Sequence, residues 1–327
     1  MKIGLPNTLF AAYHLPYWHK ILTLLQLEIV NAGPSNQKTA AAGSRLLPPE
    51  FCLPVKVFLG QILSLMEQKV DLILLPRMTS RCNTNFFCPK LLGLPDIVKY
   101  TVGLDERYWL APKISCNGLQ IRLEQPPQQK LTAPWQFKQI EDRANRYWQT
   151  VLQCCREEKL TLGAFTQRLK LTASGSGLTI GLLGYAYTLY DPFISKGVLS
   201  KLSGLGVTIR TWEMMEPDLI EQNLKTLKRP LYWNFGRIVL GAGFCFLKDP
   251  EIDGLIYVST FGCGPDSVAT KLLSIAAGQL EKPLLLVNLD EHTEGGHLQT
   301  RLEAFVDLLA TRKEKMGISG SRWAGGL

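Results

Sequence analysis

The sequence predicts an α/β fold of two lobes, each a parallel sheet with helices on both faces, joined by a helical connector and facing each other across a cleft. Three observations predict it. Short runs dense in Leu, Ile and Val alternate with segments of helical spacing over roughly the first hundred residues, the rhythm of strand–helix–strand units. The same rhythm returns from residue 174 onward. Between the two, residues 137–170 are charged, amphipathic and aromatic, with Tyr147 and Trp148, as a helix lying outside either sheet would be. The division is an N-terminal lobe over 1–133, a connector over 134–173, a C-terminal lobe over 174–316 and a loose tail over 317–327. Both lobes are of the Rossmann-like kind, and their matching rhythm suggests a pseudo-symmetric pair.

In order, residues 2–5 form a strand stopped by Pro6, 17–25 a helix and 27–30 a second strand. Residues 31–43, rich in Gly, Ser, Asn and Ala, read as a loop, and a helix runs from the Cys52-Leu53-Pro54 segment to Gln68. Residues 70–75 are a buried strand ended by Pro76, 91–102 a helix with Asp96 as its cap, and 108–114 a fourth strand. The second lobe offers strands at 179–183, 207–211, 255–259 and 284–290, with helices at 192–205, 235–247, 265–280 and 298–310. Ligands of such sheets gather beyond the strands' carboxyl ends, where Pro6, Pro76, residues 184–191, Cys263 and residues 290–297 fall.

The chain of 327 residues is 46% hydrophobic and 20% charged, an ordinary globular composition. No apolar run reaches membrane-spanning length and no signal peptide is evident, so a cytoplasmic location is expected, without a membrane partner. In a reducing compartment eight cysteines point to metal or redox chemistry rather than disulfides. The net charge of +8 is scattered and accompanied by no nucleic-acid motif, so no nucleic-acid partner is expected. A basic face for an acidic partner or a CoA-like anion is the second reading of that charge.

Cys263 sits between a strand's end and a helix's start, framed by Gly262, Gly264 and Pro265. A thiol there has its anion favoured by the helix dipole, which suits a reactive or a metal-bound sulfur. Cys52 and Cys88 share its grammar, each with a proline one or two residues on, as in Cys52-Leu53-Pro54 and Cys88-Pro89. Cys-Pro pairs recur at iron–sulfur clusters. Zinc would use the same ligand types, but paired C-x2-C spacing is absent, and iron–sulfur is the preferred reading. Cys82 could be a further ligand or a surface thiol. Cys116, Cys154, Cys155 and Cys245 read as packed thiols, with one of the adjacent pair Cys154-Cys155 facing in and the other out.

Blocks across both halves resemble a known family. They include Cys52-Leu53-Pro54-Val55-Lys56, Leu75-Pro76-Arg77, Cys88 through Asp96, Tyr190-Asp191-Pro192, Phe261 through Ser267, Asp290-Glu291-His292-Thr293 and Thr300 through Phe305. In them the chain resembles the acyl-CoA dehydratase activase-related proteins, relatives of the 2-hydroxyacyl-CoA dehydratase subunits. The resemblance implies an iron–sulfur cluster of the 4Fe–4S type, or a larger bridged cluster, held by Cys52, Cys88 and Cys263 in the interlobe cleft. It also implies a redox protein of the dehydratase type. Such a protein takes low-potential electrons from an ATP-dependent activase or another donor and reduces a CoA-type or small-molecule ligand. A non-catalytic cluster carrier or assembly subunit is the alternative, and a homodimer is open. Two departures stand out: Gln61 and Tyr185 occupy positions where the family often has histidine.

Around the three cysteines, Lys56, Tyr185, Asp191, Ser267, Glu291, His292 and Arg301 are candidate pocket or supporting residues. Lys56 could neutralise a cluster or lie on the surface. The Asp290-Glu291-His292 segment could relay protons, pair with Arg301 or simply anchor the last helix. The chain holds no G-x-x-x-x-G-K-[ST], and Gly241-Ala242-Gly243 lacks the rest of a dinucleotide fingerprint, so ATP hydrolysis by this chain is not expected.

Overall fold

The computed structural model describes residues 1–79, 86–117, 120–123, 134–166 and 175–323. In the first lobe β1 (Lys2–Leu5), α1 (Phe10–Leu24), β2 (Glu28–Asn31), α2 (Gln37–Ser44), α3 (Leu53–Glu67) and β3 (Leu72–Leu74) follow one another. Then come β4 (Arg77–Thr79), α4 (Pro89–Leu92), α5 (Leu94–Val102), β5 (Trp109–Leu110), β6 (Lys113–Asn117) and β7 (Gln120–Leu123). A long helix, α6 (Pro134–Glu157), and the short α7 (Leu162–Thr166) lead to the second lobe. There β8 (Thr179–Gly184), α8 (Ala186–Tyr190), α9 (Val198–Gly204), β9 (Thr208–Arg210) and α10 (Pro217–Leu224) precede α11 (Asn234–Lys248). The chain closes with β10 (Gly254–Thr260), α12 (Gly264–Gln279), β11 (Leu284–Leu289) and α13 (Gly295–Trp323).

Two four-stranded sheets, β2-β1-β3-β5 and β11-β10-β8-β9, are parallel throughout and flanked by helices, as expected of Rossmann-like lobes. A third small sheet, β4-β6-β7, carries the antiparallel pair β6–β7 and was not foreseen. It arises because the expected fourth strand breaks at Ala111-Pro112: β5 stays in the main sheet, and β6 restarts beside β4. The expected boundaries at 133 and 174 fall outside the described residues, as does Cys82.

Several elements differ from the sequence reading for local reasons. α1 starts earlier than expected and runs through Pro16, with a non-helical backbone at His14 where the missing N–H and the ring bend it. The Gly- and Ala-rich stretch read as a loop holds α2, capped by the Asn36 side chain, which accepts from Thr39 N at 2.9 Å. Its small residues serve close packing rather than turning: a Cβ on Gly43 would stand 1.7 Å from the Lys56 carbonyl oxygen of α3. Asp96 is not a cap but the partner of Arg77, at 2.6 and 2.8 Å. Asp191 does hold a turn, accepting from Phe193 N and Ile194 N at 3.0 Å, yet the helix begins only at Val198.

One apolar core runs through both lobes. Tyr13 of α1 stacks on Phe235 of α11 with ring centroids 3.6 Å apart, and Trp148 of α6 is fully buried against His14. Of the adjacent cysteines on α6, Cys155 is buried and Cys154 half-buried, as the helical geometry requires.

Candidate functional site

Cys52, Cys88 and Cys263 line one cavity between the lobes, with Cys52 and Cys88 from the first and Cys263 from the second. Each occupies the residue before a helix, α3, α4 and α12 respectively, and each helix carries proline in its first turn. The reason is local. Proline at the first helical positions gives up an N–H that has no partner there and brings a φ already suited to the helix, and at Cys88-Pro89 its ring also keeps the cysteine itself extended. The cysteine carbonyls accept the first helical bonds: Val55 N to Cys52 O at 3.1 Å, Leu91 N to Cys88 O at 2.8 Å and Ser267 N to Cys263 O at 3.1 Å. Gly262, at φ +76, makes the turn that delivers Cys263, a conformation a side chain would strain.

The cavity is about 80 Å3, room for one compact group and not for a coenzyme. Its walls are apolar and aromatic, with Leu9, Val55, Phe87, Tyr187 and Phe235 prominent. Burial pushes the Cys52 thiol up; the Lys90 ammonium opposes this and Cys88 adds to it. Burial pushes Cys263 well above the ordinary thiol range, reinforced by the Asp266 carboxylate and opposed by the Asp266 N–H. Asp266 itself is buried and raised to about 7, against the pull of the Tyr257 hydroxyl, which donates to it at 2.5 Å. Tyr185 and Tyr187 are held neutral by burial. Without a bound cation Cys52 and Cys263 are therefore held as thiols, and a thiophilic metal would have to displace their protons. Among the described residues no three His, Cys, Asp or Glu side chains close on a single metal ion.

Of the supporting residues expected from sequence, only Tyr185 lines this cavity. Lys56 neither neutralises the thiols nor lies on the surface: its buried ammonium pairs with Glu291 at 3.0 and 3.1 Å, joining the two lobes. Ser267 donates to the Cys263 carbonyl at 2.9 Å and so steadies the start of α12. Arg301 donates to the Leu286 carbonyl at 2.6 Å instead of pairing with the acidic loop, and His292 is exposed. Asp191 belongs to a second interlobe cavity of about 690 Å3, with His19, Asn31 and Ser35. There it accepts from the Ser35 hydroxyl at 2.5 Å. The sequence reading missed the aromatic walls, Trp233, which stands before α11 as Cys52 stands before α3, and Asn234, which opens α11.

The fold and site define a two-lobed α/β protein with a thiol-lined pocket between its lobes. Residues 2–215 match the family described as the CoA enzyme activase uncharacterised domain (DUF2229), and the chain belongs to that family. A search of curated proteins finds no match. The family match overturns one expectation. The chain was expected to be the dehydratase-type redox component served by an activase; the match points instead to the activator side. Among the described residues no helix is long and apolar enough to cross a membrane.

Proposed function

We propose that this chain takes part in activating a CoA enzyme, a dehydratase-type partner, and that its interlobe pocket holds a thiolate-ligated metal group through Cys52, Cys88 and Cys263. The observation that carries the reading is the convergence of three cysteines, each rigidly set by its own proline-started helix, on one pocket. The donor set is soft, of the kind that holds thiolate-ligated metals and iron–sulfur clusters. An iron–sulfur cluster is the first candidate, and when bound it would supply one-electron transfer. The chain's own part is to fix the sulfurs, to set Lys90 beside them and to exclude water with an aromatic wall. Phe86, Tyr232 and Phe261, exposed in the loops that carry the pocket residues, offer an apolar rim for the partner enzyme.

The test is anaerobic purification with counts of iron and acid-labile sulfide. Cys52→Ala, Cys88→Ala and Cys263→Ala should each lose most of both, while Cys154→Ala keeps them. If all three variants retain the wild-type content, the assignment is wrong.

A further inference from the structure

The lobes repeat in more than rhythm. Read from its own first strand, each main sheet has the order second, first, third, fourth: β2-β1-β3-β5 and β9-β8-β10-β11. The helices before the third strand repeat as well. α2 and α10 have 8 residues each, and α3 and α11 have 15 each. The eighth residue of the longer helix is glycine in both, Gly60 and Gly241. In both, a Cβ there would strike the backbone of the shorter helix, at the Thr39 oxygen (1.9 Å) and the Ile220 oxygen (2.8 Å).

That shared register makes Trp233 the counterpart of Cys52, for each is the residue immediately before the longer helix. After the third strand of each lobe, Cys88 and Cys263 are counterparts in the same way. Contacts across the cleft obey the same exchange. The Cys52 segment meets the Cys263 loop, with Glu50 O 3.8 Å from a Cβ built on Gly262. The Trp233 segment meets the Cys88 loop, where Phe86 N donates to Tyr232 O at 2.7 Å and Asn234 N to Phe86 O at 2.8 Å. Cys52, Cys88, Cys263 and Trp233 all line the one cavity.

We infer that the pocket has four corners, equivalent in pairs across the lobes (Cys52 with Trp233, Cys88 with Cys263), three carrying thiols, and that the corner held by Trp233 is where an uncharged, apolar small molecule meets whatever the thiols hold. The inference rests on the proposed function for what the thiols hold, but not for the equivalence of the corners. An indole cannot ligate a metal, so this corner alone is left for a ligand from outside. The wall beside it is mostly apolar, through Phe86, Phe87 and Phe235, with Asn234, Tyr185 and Tyr187 as its polar members. Lys90, the one cation among the described residues that line the cavity, is already engaged by the Glu50 carbonyl at 3.0 Å and the Phe51 ring.

The experiment has two arms on the full-length chain. In metal-free W233C, dibromobimane, which fluoresces on bridging two thiols, should join the introduced thiol to Cys88 or Cys263, as peptide mass spectrometry would map. Bridges among the native cysteines, with the introduced thiol only singly labelled, would overturn the equivalence, whatever the metal content. In the iron-loaded protein, tert-butyl isocyanide should change the reduced electron paramagnetic resonance spectrum of the wild type and of W233F, but not of W233C, where a fourth thiolate fills the corner. A response of W233C equal to the wild type would overturn the inference. Should W233C fail to fold, W233A decides: its enlarged corner should bind the isocyanide at least about tenfold more tightly, and unchanged affinity would refute the claim. Absence of iron from the wild type defeats the proposed function alone, since the bridging arm is read without metal.

Discussion

Lys56 and Glu291 give the sharpest test of how the lobes are held together. Lys56 lies on α3 of the first lobe and Glu291 in the loop after β11 of the second, with the ammonium 3.0 Å from the carboxylate. The lysine side chain is 6% exposed and the glutamate 28%. Glu291→Ala would leave the ammonium buried without its counter-charge. Breaking a fully buried pair from one side costs roughly 3–5 kcal/mol. Water reaches one flank of this pair, so the expected loss is about 2 kcal/mol. At about 2 °C for each kcal/mol in a chain of this size, Tm should fall by about 4 °C. Lys56→Met removes the charge and keeps an apolar stem, leaving a carboxylate that can rehydrate, so about 1 kcal/mol is expected. The double variant should cost less than the sum of the singles by about 1 kcal/mol. Urea unfolding of the four proteins measures this cycle. A Glu291→Ala loss below about 0.5 kcal/mol with no coupling would refute the claim that a buried charge pair ties the lobes.

Gly60→Ala forces a methyl against the Thr39 carbonyl, and Gly241→Ala against that of Ile220. Each should cost about 3 kcal/mol or abolish soluble expression, whereas Gly204→Ala, with open space around it, should be neutral within about 0.5 kcal/mol; thermal melts compare them. Burial raises the Glu213 carboxyl above its usual value despite hydrogen bonds from Tyr190 and Leu162 N. The folded state therefore keeps a proton that the unfolded chain releases. This group's contribution to stability falls as pH rises from about 4.5 to its raised folded value, and Glu213→Gln should remove that slope in urea titrations at several pH values. In the metal-free protein Cys52 and Cys263 should react with iodoacetamide at neutral pH at least about tenfold more slowly than in concentrated urea, read by mass spectrometry; equal rates would contradict the burial that raises both thiols.

What the sequence made legible was local. Proline after Cys52, Cys88 and Cys263 fixes a helix start within a few residues, so three corners of the pocket could be read before any fold was known. The strands of both main sheets were legible for the same reason, as apolar runs bounded by Pro6, Pro76 or glycine. α2 was not, because the Gly, Ser and Asn around its Ala run read as a loop and its close packing shows only when α3 is set against it. Partners distant in sequence were equally hidden: Lys56 finds Glu291 across 235 positions, and no local pattern announces that.

The side of the reaction on which the chain stands was hidden for a different reason. Thiols gathered in an aromatic-walled pocket state what a site can hold, and a donor and an acceptor of electrons would hold it alike. Trp233 bears on this more than the cysteines do. Had the second lobe repeated the first completely, a fourth thiol would close the pocket and only tunnelling through its wall could connect it to a partner. An indole at that corner keeps one approach free of a protein ligand, and the aromatic side chains of Phe86 and Tyr232 stand beside that approach. The departure from symmetry, more than the symmetry, is therefore where the specificity of this pocket should be sought, and substitutions at Trp233 should alter what the pocket meets without altering what its cysteines hold.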